Sequence, residues 1–217
     1  MNAVLQPIVD SPLLDDYISR LVRLRDNEQL RRARFVDDAP ADRKVEFING
    51  SEIVHSPVSL AHNNILTRLS MLLSAHVRRH GLGSVGLEKL MVSLTRNDYE
   101  PDLCFFSSER AAGFAPDQRR FPAPDFIVEI LSHSTEDRDR GVKFVDYAAH
   151  RVGEYWIVDP DDETVEKYTA IDGEYRLALK LHDGSVTCDA VAGFTIPVRA
   201  IFADAENLAA LSALLTP

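Results

Sequence analysis

The chain reads as a mixed α/β (α+β) protein, with a central mixed sheet flanked by helices, an added N-terminal helix and an antiparallel C-terminal meander. Three stretches predict this. Residues 121–160, FPAPDFIVEILSHSTEDRDRGVKFVDYAAHRVGEYWIVDP, read as strand, turn, helix, strand, which implies a parallel pair with a right-handed crossover. Asn49-Gly50 stands between two short β-prone runs, the strongest short-range hairpin signal. From residue 164 onward, strand-like runs are separated by the turn dipeptides Asp172-Gly173 and Asp183-Gly184.

The 217 residues suffice for one good core, and the expected division is an N-terminal helical extension, 1–41, followed by a single domain, 42–217. With 45% hydrophobic and 27% charged residues and no low-complexity tract, composition singles out no special class, so function must be sought in particular residues. No apolar run is long enough to span a membrane, and the opening residues lack the basic-then-apolar pattern of a signal peptide. Cys104 and Cys188 form no close metal-like pair and suit a reduced, cytoplasmic protein better than a disulfide framework. The balance of 24 basic against 34 acidic residues, formally −10, argues against coating nucleic acid through a broadly positive surface. It leaves room for a local basic groove, with Arg31, Arg32 and Arg34 one of several small arginine clusters.

In chain order, Ser11-Pro12 starts a helix whose apolar positions Leu14, Tyr17, Ile18, Leu21 and Leu24 carry it to about residue 32. Residues 44–48 and 51–54 form the hairpin. Glu46 lies in mid-strand there and reads either as a solvent-facing position or as part of a site. A helical stripe runs from Val58 to His80 and stops at Gly81, with His62 in its first turn. Strands are expected over Ser84–Leu94 and Asp102–Phe106, with the polar turn 95–98 between them. In the strand from Asp125 to Leu131, Phe126, Val128 and Ile130 share one apolar face, while Asp125, Ile127, Glu129 and Leu131 share the other. A helix follows from about Thr135 to Ala149, with Ser134 and Asp137 spaced as a capping box and Val142, Val145, Ala149 and Val152 as its apolar stripe. Lys143 and Tyr147 sit beside that stripe, four residues apart. The meander takes residues 164–188, and a last helix spans about 198–215.

A core strand that accepts carboxylates needs a reason beyond packing, because an unpaired buried carboxylate is costly. Asp102 and Glu129 lie on consecutive strands, which are often spatial neighbours, and Lys143 lies on the helix after them. Two converging carboxylates suit a hard divalent cation such as Mg²⁺, and a nearby lysine can stabilise charge developing on a phosphate. Spacing alone favours a salt-bridged structural cluster, since carboxylates and lysines are common.

At these residues the chain resembles a known family. PDL at 101–103, PDFIVEILSHST at 124–135, GVKFVDYAAHRVGEYWIVDP at 141–160 and VEKY at 165–168 are similar to the Uma-type restriction endonuclease family, over roughly residues 42–200. The resemblance implies the PD-(D/E)XK nuclease fold, a restriction-endonuclease-like core, with Asp102 and Glu129 as metal ligands for Mg²⁺ or Mn²⁺. Leu131 stands where the motif lysine belongs, and the resemblance implies that Lys143 replaces it from the next helix. His133 stands where family members commonly carry proline. Asp125, Glu46, His62 and Tyr147 join as secondary site residues, Asp125 by strand period with Glu129. The implied function is a metal-dependent endonuclease hydrolysing DNA phosphodiester bonds, with a homodimer as the expected assembly. The alternative is a nuclease-fold module without catalysis that serves binding or assembly.

Overall fold

The computed structural model describes residues 4–38 and 43–216. The expected division at 41/42 lies outside the described residues. Helices α1 (Gln6–Val9) and α2 (Leu14–Asp38) open the chain. α2 runs past residue 32 because its C-terminal half has partners: Phe35 packs with Val45, Phe47 and Met91, and Arg32 Nε lies 2.6 Å from Asp98 Oδ2. Its N-terminal half leaves Ile18, Leu21 and Leu24 exposed.

The hairpin forms as expected from β1 (Val45–Ile48) and β2 (Ser51–Val54). Asn49 and Gly50 take φ values of 50° and 81°, the pair of left-handed residues that a type I′ turn requires. Next comes α3 (Leu60–His80), capped by Ser59, whose Oγ accepts the His62 amide, and stopped at Gly81 in the left-handed region. The single strand expected over Ser84–Leu94 is two. β3 (Gly83–Leu87) and β4 (Met91–Ser93) are separated by a turn with Glu88 at φ 41°, and they join different sheets. Then follow β5 (Asp98–Tyr99), β6 (Leu103–Ser107), the single turn α4 (Ser108–Ala111), β7 (Arg120–Phe121) and β8 (Phe126–Ile130). The expected crossover helix is broken into α5 (Glu136–Asp139) and α6 (Val142–Ala149), leading to β9 (Glu154–Asp159).

Strands β10 (Thr164–Ile171) and β11 (Glu174–Leu181) complete a meander with β9. The third expected meander strand leaves it: β12 (Ser185–Thr187) pairs with β13 (Thr195–Pro197). The last helix is likewise two, α7 (Arg199–Phe202) and α8 (Asp204–Leu215), interrupted by the extended backbone of Ala203.

The central sheet has the order β11-β10-β9-β8-β6-β3, and within it β8 and β9 are parallel while the other neighbours are antiparallel. A second sheet, β2-β1-β5-β4-β7, carries the hairpin. The alternation along β8 divides the core as its sequence suggests. Phe126, Val128 and Ile130 pack with Leu69, Leu72 and Leu73 of α3 and with Ile201. Ile127 and Leu131 pack on the opposite face with Tyr147, Tyr155 and Ile157. Helices thus flank the mixed sheet as expected. Among the described residues, no helix is long and apolar enough to cross a membrane.

Candidate active site

Glu129 is the fourth residue of β8 and follows the strand's alternation onto the face covered by α6. Its neighbours on that face are apolar, so the carboxyl group is 2% exposed and depends on whatever donors the covering elements supply. Lys143 and Tyr147 supply them. Lys143 Nζ lies 3.0 Å from Glu129 Oε1, and the Tyr147 hydroxyl donates to the same oxygen at 2.9 Å. The helical spacing of four residues brings both to one carboxylate.

The covering helix is turned from the expected orientation: Val142 and Val152 of the apolar stripe pack inward as expected, and Val145 and Ala149 do not. Val145 is exposed, as is Ala149, and the side of α6 turned inward carries Lys143, Tyr147 and Ala148. The expected capping box is absent: Thr135, not Ser134, stands at the N-cap position of α5, and its side chain makes no capping hydrogen bond. The break between α5 and α6 falls at Arg140-Gly141, where a Cβ on Gly141 would stand 2.4 Å from the Asp137 carbonyl oxygen. Only glycine fits that approach, and it lets α5 and α6 present Asp139 and Lys143 to the same point.

Lys143 Nζ is also 3.1 Å from Glu46 Oε1 and 3.1 Å from Asp139 Oδ1. Glu46 is fully buried on β1, so its solvent-facing alternative is removed. Its Oε1 accepts the Glu100 amide at 3.0 Å and its Oε2 is 2.9 Å from His55 Nε2. Asp102 sits in the bend before β6. Its Oδ2 accepts the Ile130 amide at 2.8 Å, its Oδ1 is 2.7 Å from Lys44 Nζ, and its own amide points at Glu129 Oε2 at 3.4 Å. His62, 4% exposed, places Nε2 3.5 Å from Asp102 Oδ1, and neither ring nitrogen completes a hydrogen bond. Asp102, Glu129, Lys143, Glu46, His62 and Tyr147 therefore come together. Asp125 does not: its carboxylate is 2.7 Å from the Ser107 amide and 2.7 Å from Arg110 Nε, at the other end of β8. Leu131 packs in the apolar cluster beneath α6, so the position two after Glu129 carries no charge.

Three members lacked a signal in the motif pattern. Lys44 precedes Glu46 by one strand period, and Asp139 precedes Lys143 by one helical i,i+4 step; both spacings are visible in sequence. His55 reaches Glu46 only through the register of the hairpin, which places its amide on the Lys44 carbonyl.

The electrostatics follow from burial and from which charges face each other. Burial pushes Glu129 up to about 8, with the Asp139 and Asp102 charges adding to it against the pull of Lys143. Burial also raises Asp139. For Glu46 burial opposes, but Lys143 and His55 prevail and hold it at about 2. For Asp102 burial is likewise outweighed, by Lys44 and His62, and its carboxyl stays far below the usual range. Lys143 is held well above its ordinary value, because Asp139, Glu129 and Glu46 outweigh the cost of burying it.

Four carboxyl groups, Glu46, Asp102, Glu129 and Asp139, thus face two ammonium groups, Lys44 and Lys143. The floor they form opens into a cleft of about 910 Å³, which Asp102, Glu129, Asp139, Lys143, Lys44 and His62 all line. Among the described residues, no three His, Cys, Asp or Glu side chains converge as a ready metal cage. An excess of carboxyl oxygens without a full cage fits a hard ion that keeps several waters and takes one or two carboxylates, as Mg²⁺ and Mn²⁺ do.

Comparison with known proteins agrees with this architecture. A solved structure described as a putative nuclease belonging to DUF820, from Anabaena variabilis, superposes with a TM-score of 0.64 at 21% identity. The match covers 73% of this chain and 89% of that one, and at such identity it speaks for the fold alone. No curated protein matches the chain. Residues 27–199 match the family described as Uma2, Putative restriction endonuclease. That span holds every member of the cleft named above, and the chain belongs to the Uma2 family.

Proposed function

We propose that the protein is a metal-dependent endonuclease that hydrolyses DNA phosphodiester bonds in this cleft, with Mg²⁺ or Mn²⁺ held by Asp102 and Glu129. The observation that carries the reading is the Lys143 ammonium, brought in by the helix that follows Glu129 and standing 3.0 Å from its Oε1. A divalent ion bound there would polarise a phosphoryl oxygen and lower the pKa of a bound water. Lys143 supplies a fixed positive charge for the negative charge that develops on the phosphate, and burial makes that charge count for more than it would in water. Tyr147 and Asp139 hold the lysine and Glu129 in register, and the Ile130 amide fixes the Asp102 carboxylate. A homodimer would set two such clefts on one duplex. The free, buried thiols of Cys104 and Cys188 suit a reduced cytoplasm.

The test is incubation of purified protein with plasmid and with duplex oligonucleotides in Mg²⁺ or Mn²⁺. Cutting by the wild type that disappears in Asp102→Ala, Glu129→Ala and Lys143→Ala is the expected result. Variants that cut like the wild type would remove these residues from catalysis.

One observation favours the second reading, a binding or assembly module. Asp102 already has both oxygens engaged, by Lys44 and the Ile130 amide, and Glu129 Oε1 is shared by Lys143 and Tyr147. Such a closed network also serves folding alone. Folded wild-type protein that binds duplex DNA but leaves it intact with either ion would establish the module instead.

A further inference from the structure

Lys44 stands one strand period before Glu46 and reaches the cleft floor, with Nζ 2.7 Å from Asp102 Oδ1. The other oxygen of Asp102 is committed to the Ile130 amide at 2.8 Å, a bond that ties the bend before β6 to β8. Oδ1 is therefore the oxygen that Asp102 offers to the cleft, and Lys44 is in contact with it, with His62 Nε2 further off at 3.5 Å. A divalent cation approaching Asp102 meets an ammonium group in its place, and two cations at ligand distance from one oxygen repel each other strongly in a partly buried site.

The two lysines of the site differ in their freedom. The Lys143 side chain is 1% exposed and enclosed by Glu46, Glu129 and Asp139. The Lys44 side chain is 17% exposed, at the wall of the cleft, and its charge sits on a flexible four-carbon stem. Lys44 can leave without stranding itself, and a polyanion entering the cleft would give it a new partner.

We propose that Lys44 is a displaceable counter-ion. It neutralises Asp102 until the divalent cation arrives, then turns into the cleft and contacts a DNA phosphate next to the one being cleaved. This rests on the reading of Asp102 as a metal ligand. Each charged group keeps an opposite partner through the exchange: the cation replaces the ammonium on the carboxylate, and the phosphate replaces the carboxylate on the ammonium. Lys44 is thus a substrate-positioning residue that competes with the metal before substrate binds.

The experiment is Mn²⁺ titration by calorimetry on the wild type, Lys44→Met, Lys44→Arg and Asp102→Ala, with folding checked by near-ultraviolet circular dichroism. Removing a charge-assisted bond to the ligand oxygen should tighten Mn²⁺ binding by about tenfold or more in Lys44→Met. Lys44→Arg should bind Mn²⁺ like the wild type. Fluorescence anisotropy with a labelled duplex, in Ca²⁺ to suppress cutting, supplies the second readout. Lys44→Met should bind the duplex more weakly, with a log K against log[salt] slope smaller by about one. Tighter metal binding together with weaker duplex binding is a combination that a purely structural lysine would not produce. The proposal fails if Lys44→Met binds Mn²⁺ no more tightly than the wild type, or if duplex affinity and salt slope do not change. Asp102→Ala that binds Mn²⁺ as the wild type does would instead overturn the metal-site reading beneath it. Should Lys44→Met not fold, Lys44→Gln, which keeps a donor for Asp102, carries the same two readouts.

Discussion

Replacing Lys143 by methionine keeps the apolar stem and removes an ammonium that three carboxyl groups share: Glu129 at 3.0 Å, Glu46 at 3.1 Å and Asp139 at 3.1 Å. With the side chain 1% exposed, water does not take its place. Removing one partner of a buried ion pair costs about 3–5 kcal/mol, and three acceptors left facing one another put this case at the upper end. With a urea m-value of about 2 kcal/mol/M, the unfolding midpoint should fall by about 2 M. That is a large part of the roughly 5–15 kcal/mol that holds a domain together, so the variant should fold but only marginally. The loss should also depend on pH. Without Lys143, Glu129 and Asp139, already above their ordinary values, rise further and Glu46 loses the main charge that holds it down, so the folded state binds more protons than the unfolded state and stability grows as pH falls toward about 5. Adding Asp139→Asn to Lys143→Met should recover part of the loss, although Asp139→Asn alone destabilises; a double-mutant cycle reads this as coupling above about 1 kcal/mol. Urea titrations at pH 8 and pH 5.5 on the four proteins supply all the numbers. A midpoint shift under about 0.5 M, or strictly additive effects, would refute the claim that Lys143 holds these carboxyl groups together. The same numbers fix how inactivity must be read, since Lys143→Met is informative about cleavage only at temperatures where it is shown to be folded.

Three further perturbations test other parts of the structure. Gly141→Ala places a Cβ 2.4 Å from the Asp137 carbonyl oxygen, which should cost about 1–3 kcal/mol and lower Tm by about 3–10 °C; an unchanged Tm would mean that the α5–α6 break tolerates a side chain. In Glu166 burial opposes ionisation, but hydrogen bonds from Arg140, Tyr168 and Lys180 pull the carboxyl down from 4.5 to about 2. A folded value below the unfolded one stabilises above pH 4.5 and is lost as pH falls through about 2, so the stability gap between wild type and Glu166→Gln should be flat above about pH 5 and close toward pH 2. Parallel pH profiles for the two proteins would contradict that assignment. Asp125→Asn weakens a partly exposed pair with Arg110 and the bond to the Ser107 amide, so it should cost about 1 kcal/mol or less and leave the proposed DNA cleavage at the wild-type rate; a variant that loses the wild type's cutting would return Asp125 to the site.

Much of the fold is legible in the sequence because its signals are local. Asn49-Gly50 adopts the two left-handed φ values that only such residues take readily, and Gly81 ends α3 in the same way. Alternation along β8 separates the two halves of the core residue by residue. What is not legible depends on partners distant in sequence. Nothing between Ser84 and Leu94 announces that β3 will pair with β6 while β4 pairs with β5 and β7, since the division is made at Glu88 by the sheets on either side. The same holds for β12, whose partner β13 lies eight or more residues further on and draws it out of the meander.

The crossover helix shows the deeper reason. By apolar periodicity its inner face is Val142, Val145, Ala149 and Val152, and a helix covering an ordinary sheet would turn all four inward, whereas only Val142 and Val152 pack against the core. Here the sheet face beneath it carries Glu129, with Glu46 arriving from the second sheet, so centring Val145 on that face would take from both carboxyl groups the ammonium they share in a dry interior. Satisfying them with Lys143 and Tyr147 outweighs burying one more valine, which contributes only about 1.5–3 kcal/mol, and Val145 is left at 67% exposure. The break at Gly141 follows from the same demand, because it lets Asp139 meet the ammonium from the preceding turn. Hydrophobic patterning therefore fails on this element because its orientation is set by charge, and two of the residues that set it, Glu129 and Lys143, line the cleft.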